Sequence, residues 1–124
     1  MKHLRFQDFS TKISVIAIAK YVESSKTLQT LDLRYGRCQY SHKGQEMTSV
    51  LLNALSRNTS VTKVSIVLSR EKVQQLKAVL RQNTAIQFLD LKSSYLGSTG
   101  LAEIAPALYR NTSIKTLDLS NNDL

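Results

Sequence analysis

One spacing constrains this chain more than anything else in it. An apolar residue is followed three and five places later by two more, and the pattern returns down the whole length. Leu28, Leu31 and Leu33 set it out; Val61, Val64 and Ile66 repeat it, as do Ile86, Leu89 and Leu91, then Ile114, Leu117 and Leu119. Met1, Leu4 and Phe6 make a weaker opening copy. The copies start at 1, 28, 61, 86 and 114, in steps of 27, 33, 25 and 28 residues. Periods in or near about 20–29 residues mark a stacked strand-plus-helix unit.

Within each copy the fourth and sixth positions alternate with their neighbours, which is the mark of a short strand with one face buried. Positions four and six therefore point inward; two, three, five and seven point outward. Asn122 at position nine suits a turn whose amide bonds the backbone, and Ser94, Ser69 and Gly36 hold that place elsewhere. Helical spacing follows each strand. Leu101, Ile104, Ala105 and Leu108 share one face, as do Val73, Leu76, Val79 and Leu80. Val50, Leu51, Ala54 and Leu55 form another, and Val15, Ile16, Ala19 and Val22 approximate a fourth. The helices close at Asn58-Thr59, Asn83-Thr84 and Asn111-Thr112, where Asn suits a helix C-terminal turn. Pro106 conflicts locally, since an interior proline removes a ladder bond; a bend or a late helix start would accommodate it.

These residues resemble the leucine-rich repeat family, specifically its ribonuclease-inhibitor-like class. Ser120-Asn121-Asn122-Asp123-Leu124 and Gly97-Ser98-Thr99-Gly100-Leu101 carry the likeness most closely. Such repeats occur in NOD-like receptor sensors, Ran GTPase-activating protein, tropomodulin and ribonuclease inhibitor. The resemblance implies an α/β solenoid: about five short parallel strands on a concave face, with helices on the convex face. It also implies that residues 1–124 are a single repeat domain. Both ends lack capping units, so a fragment of a longer array is expected, with end-to-end self-association as the competing reading. The second repeat is long, with an insertion expected in 36–43, and the third is short, so Ser69-Arg70-Glu71-Lys72 must close its turn directly.

Composition narrows the function by exclusion. No run approaches the 18 apolar residues of a membrane span, and no convincing cleavage site follows the apolar run Ile13–Ala19. A lone cysteine, Cys38, cannot form an internal disulfide; it and the absent signal point to a cytoplasmic, reducing setting. Asn58-Thr59-Ser60 and Asn111-Thr112-Ser113 match a glycosylation acceptor, but Asn83-Thr84-Ala85 occupies the same place without matching, so a structural turn explains all three. His3 and His42 lie in different repeats with no convergent ligands, and no phosphate loop or nucleophile elbow is present. No metal, cofactor or catalytic residue is expected, and the chain is not expected to be an enzyme.

Equivalent positions line up as columns across the sheet. Column three reads His3, Thr30, Lys63, Phe88, Thr116; column five reads Arg5, Asp32, Ser65, Asp90, Asp118. From these and the next two columns, the expected partner-binding residues are Arg34, Tyr35, Lys63, Val67, Leu68, Phe88 and Lys92. An aromatic and aliphatic centre with a cationic rim is the anatomy of a protein-binding hot spot. The alternative is that the short third repeat tucks Val67 and Leu68 into the core. With Lys+Arg 17 against Asp+Glu 9, net +8, the expected partner is an acidic protein surface or peptide, and nucleic acid is not. The reading is a non-catalytic protein-interaction module, with a regulatory or activating subunit for a GTPase or other enzyme as the alternative.

Overall fold

A computed structural model of the chain describes residues 2–5, 15–34, 42–68, 70–94 and 96–123, and of residues 15 and 42–47 the backbone alone. Five strands lie side by side in chain order, every neighbouring pair parallel: β1 (His3–Arg5), β2 (Thr30–Leu33), β3 (Lys63–Ile66), β4 (Phe88–Asp90) and β5 (Thr116–Asp118). Between them run α1 (Val15–Ser24), α2 (His42–Arg57), α3 (Val73–Gln82) and α4 (Gly97–Arg110), each packed against the next. This is the α/β repeat architecture that the apolar spacing predicts. The register reproduces the expected columns: His3 pairs with Thr30, Thr30 with Lys63, Lys63 with Phe88 and Phe88 with Thr116.

The core sits between the sheet and the helices. Leu28, Leu31, Leu33, Val61, Val64, Ile66, Ile86, Leu89 and Leu91 are all buried there. Burying each such side chain contributes roughly 1.5–3 kcal/mol, which outweighs the weak intrinsic stability of strands this short. Val73, Leu76, Val79 and Leu80 meet them from α3 and Leu51, Ala54 and Leu55 from α2, on the faces that helical spacing predicts. In the last repeat Ile114, Leu117 and Leu119 are only partly buried, because β5 has a neighbour on one side alone.

Three helices depart from expectation; in α2 Leu52 is buried and Val50 of the expected face only half-buried. In α4 the buried residues are Gly100, Ile104 and Ala107, whereas Ala105 is exposed, so the packed face is turned toward the small residues. At Gly100 a Cβ would stand 3.1 Å from the Leu96 Cβ and 3.6 Å from the Arg70 Cδ, so only glycine fits the approach without a shift. The helix also starts earlier than expected and runs through Pro106, whose ring faces solvent. The Ala102 carbonyl that loses its partner is on an exposed residue, where water can replace the bond. In α1, Ile16 is 67% exposed. Among the described residues, α1 packs on α2 alone of the helices.

Both loop rims are tied by side chains that bond the preceding repeat. Asn58 donates to the Val22 and Ser25 carbonyls and accepts from the N–H groups of Ser60 and Val61. Asn83 donates to Leu55 and Asn58 and accepts from Ala85 and Ile86. Asn111 does the same with Leu80, Asn83, Ser113 and Ile114. The backbone at Asn83 (φ −81°, ψ 129°) and Asn111 (φ −73°, ψ 133°) is extended, not left-handed. Asparagine is therefore used for its amide, satisfying groups that the helix ends leave open, and not for tolerance of positive φ. Asn58, buried with its amide fully engaged, is no glycan acceptor in this fold. On the opposite rim, Asn122 donates to Leu91, Leu119 and Ser120 and accepts from Ser94 and Leu96.

Candidate partner-binding face

The face of the sheet away from the helices presents columns three, five and seven. Column five has a local structural job. Asp32, Asp90 and Asp118 each accept, through Oδ1, the backbone N–H two residues on, from Arg34, Lys92 and Ser120 respectively. The carboxylate thus caps the end of its strand in an Asx turn. Ser65 holds this place in β3, with a shorter, uncharged hydroxyl instead of a carboxylate.

That substitution opens a path for Arg34. Its guanidinium bonds Asp32 twice, at 3.1 Å each, and reaches across β3 to within 3.6 Å of Asp90 Oδ2. Asp32 is flanked on its other side by Arg5, whose Nε lies 3.2 Å away. Burial alone would push the Asp32 carboxyl up; hydrogen bonds from the Arg34 side chain and backbone, the Arg34 charge and Arg5 outweigh it and hold it below the ordinary carboxylate value. The hydrogen bond to Asp32 raises the Arg34 guanidinium against a smaller opposing effect of burial.

Of the seven residues expected on this face, Arg34 and Lys63 line one depression, Lys63 also stands over Phe88, and Lys92 is exposed. The Lys63 ammonium stands 4.9 Å from the centre of the half-buried Phe88 ring, a cation–π contact worth about 0.5–1 kcal/mol at an exposed site. Val67 is half-buried. Tyr35 lies outside the described residues, as do Arg37, Cys38, Ser69 and the 36–41 part of the expected insertion; of His42 and Lys43 only the backbone is described.

Leu68 corrects the expectation. It is 1% exposed and part of the core, and its N–H bonds the Ser94 hydroxyl. The equivalent residues Ser93 and Asn121 turn through positive φ, 58° and 57°. That conformation costs a leucine about 1–2 kcal/mol, so the third repeat turns differently and folds Leu68 inward, into the core. Among the described residues, the expected aromatic and aliphatic centre is reduced to Phe88 and part of Val67. What the columns did not single out are Arg5, Thr30 and Ser65. With His3, Leu4, Asp32, Arg34 and Lys63 they line a depression of ≈ 330 Å³ over β1, β2 and β3. Their shared register was the available signal, together with Ser65, which interrupts the aspartate column.

Among the described residues no three of His, Cys, Asp and Glu gather as a metal site, and no helix is long and apolar enough to cross a membrane. No protein-family model matches the chain. Tropomodulin-4 from Homo sapiens is 33% identical over 78 residues, and tropomodulin-4 from Bos taurus 32% over the same length. Each match takes in 60% of this chain, which spans only 23% of the length of these relatives. Among solved structures, actin-binding site 2 of leiomodin-1 superposes with a TM-score of 0.68 at 14% identity, over 96% of this chain and 70% of that one. A tropomodulin C-terminal domain from Caenorhabditis elegans gives 0.59 at 13% identity, over 87% and 83%. The fold is a leucine-rich-repeat-like solenoid similar to those of leiomodin-1 and tropomodulin.

Proposed function

We propose that this chain is a non-catalytic protein-interaction module that binds actin through the open face of its sheet. The observation that carries this reading is the likeness, over nearly the whole chain, to a leiomodin-1 domain that is itself an actin-binding site. The 78-residue similarity to tropomodulin-4 supports it from sequence. The face supplies what such a contact uses: the Phe88 ring as an anchor with Lys63 over it, and Arg34, Arg5 and Lys92 as further cations on the same face. The placement in a ribonuclease-inhibitor-like class rests on the sequence pattern alone, and nothing in the comparisons favours the GTPase-activating alternative. A cytoplasmic location accords with an actin partner.

Co-sedimentation with filamentous actin and fluorescence titration with monomeric actin test the reading. Saturable binding to one form is expected, weakened at least tenfold by the double change Phe88→Ala and Lys63→Glu with the fold intact. Absence of binding to both forms at about 100 μM, a free energy weaker than roughly −5.5 kcal/mol, would remove actin as the partner.

A further inference from the structure

We propose that the depression over β1, β2 and β3 is a receptor for a single acidic side chain, Asp or Glu, of the bound protein. This deepens the reading of the sheet face as a protein-binding surface and rests on it. Thr30 forms the floor, with His3 and Arg5 of β1 on one side, Lys63 and Ser65 of β3 on the other, and the Asp32–Arg34 pair at one end. Arg5, Arg34 and Lys63 line it with a single carboxylate, Asp32, which Arg5 and Arg34 already hold; Arg34 also reaches Asp90, and the Lys63 ammonium lies over Phe88 at the far edge.

The donors are not exhausted by the fold. Arg5 hydrogen-bonds Asp32 through Nε alone, leaving both terminal nitrogens without a hydrogen-bond partner among the described residues, and its side chain is 61% exposed. The hydroxyl of Thr30, which is half-buried, likewise has no hydrogen-bond partner among the described residues. A guanidinium edge matches a carboxylate in shape, and charge-assisted bonds of this type are about twice as strong as neutral ones. A basic side chain would meet Arg5, Arg34 and Lys63, so the charge also selects against it.

The test is a chemical-shift titration of the full chain with a capped Gly-Glu-Glu-Gly peptide and with its counterpart in which both glutamates are glutamine. Shifts should cluster at the amides of β1, β2 and β3 for the glutamate peptide and fade for the glutamine one. Arg5→Gln and Thr30→Val should each weaken binding several-fold, whereas Lys115→Gln, an exposed cation off this depression, should leave it unchanged. Equal loss in all three variants, or shifts spread over the whole surface, would reduce the effect to net charge and overturn the site. The actin assay separates the two ideas: peptide binding without actin binding keeps the site and removes actin, and actin binding without a clustered peptide response does the reverse.

Discussion

Asn83→Ala is the sharpest probe of what joins one repeat to the next. The Asn83 amide makes four hydrogen bonds: it donates to the Leu55 carbonyl at 2.7 Å and the Asn58 carbonyl at 3.1 Å, and accepts from the Ala85 and Ile86 N–H groups at 2.8 and 2.9 Å. Its backbone is extended, so alanine introduces no strain and the change isolates the side chain. At about 1 kcal/mol net per bond, with part of the cost of stranded buried groups added, the loss should be about 3–5 kcal/mol. Asn111→Ala removes an equivalent set from a half-buried site that water can enter, and should cost about half as much. Asn83→Asp should be at least as damaging as alanine, since it aims carboxylate oxygen at two carbonyls. Urea unfolding followed by far-UV circular dichroism measures all three. A loss below about 1 kcal/mol for Asn83→Ala, or no difference from Asn111→Ala, would refute the bonding argument.

Three further outcomes follow from particular residues. The Asp32 carboxyl is held below its unfolded value, so its contribution is complete at neutral pH and is lost as pH falls from about 5 toward 2; the urea midpoint should drop over that window, and less steeply in Asp32→Asn. Leu68→Ala should cost about 2–4 kcal/mol in urea unfolding, as befits a core leucine, while binding by the remaining folded protein is unchanged. Pro106→Ala restores an N–H within α4 and should raise stability by about 1–2 kcal/mol, read as an increase in thermal midpoint.

The strand register was legible because alternation has a period of two and one face is buried, so a slip at Leu31 or Val64 would have turned the whole apolar set outward. The α3 face was equally legible, since its large apolar residues are the buried ones. In α4 the reading failed because counting apolar residues gives Gly100 no weight, yet Gly100 lies on the buried stripe with Leu96, Ile104 and Ala107. At Leu68 it failed because alternation stops where β3 ends, at Ile66, and backbone conformation then decides direction. The binding face was half legible. Cations could be placed by column, but nothing in the spacing revealed that Arg34 would spend its guanidinium on Asp32 and Asp90. That pairing depends on the short Ser65 lying between them.

The amide ladder also has a direction. Asn58, Asn83 and Asn111 all donate to carbonyls of the repeat before them, and on the other rim Asn122 and Ser94 likewise reach back, to Leu91 and Ile66. A chain leaving the ribosome presents its early repeats first, at about 5–20 residues per second. Each new asparagine then finds the carbonyls it donates to already laid down, and its oxygen waits only for the N–H groups two and three residues further on. Synthesis from the amino end and assembly of the stack proceed in the same sense, so every completed repeat is a template for the next.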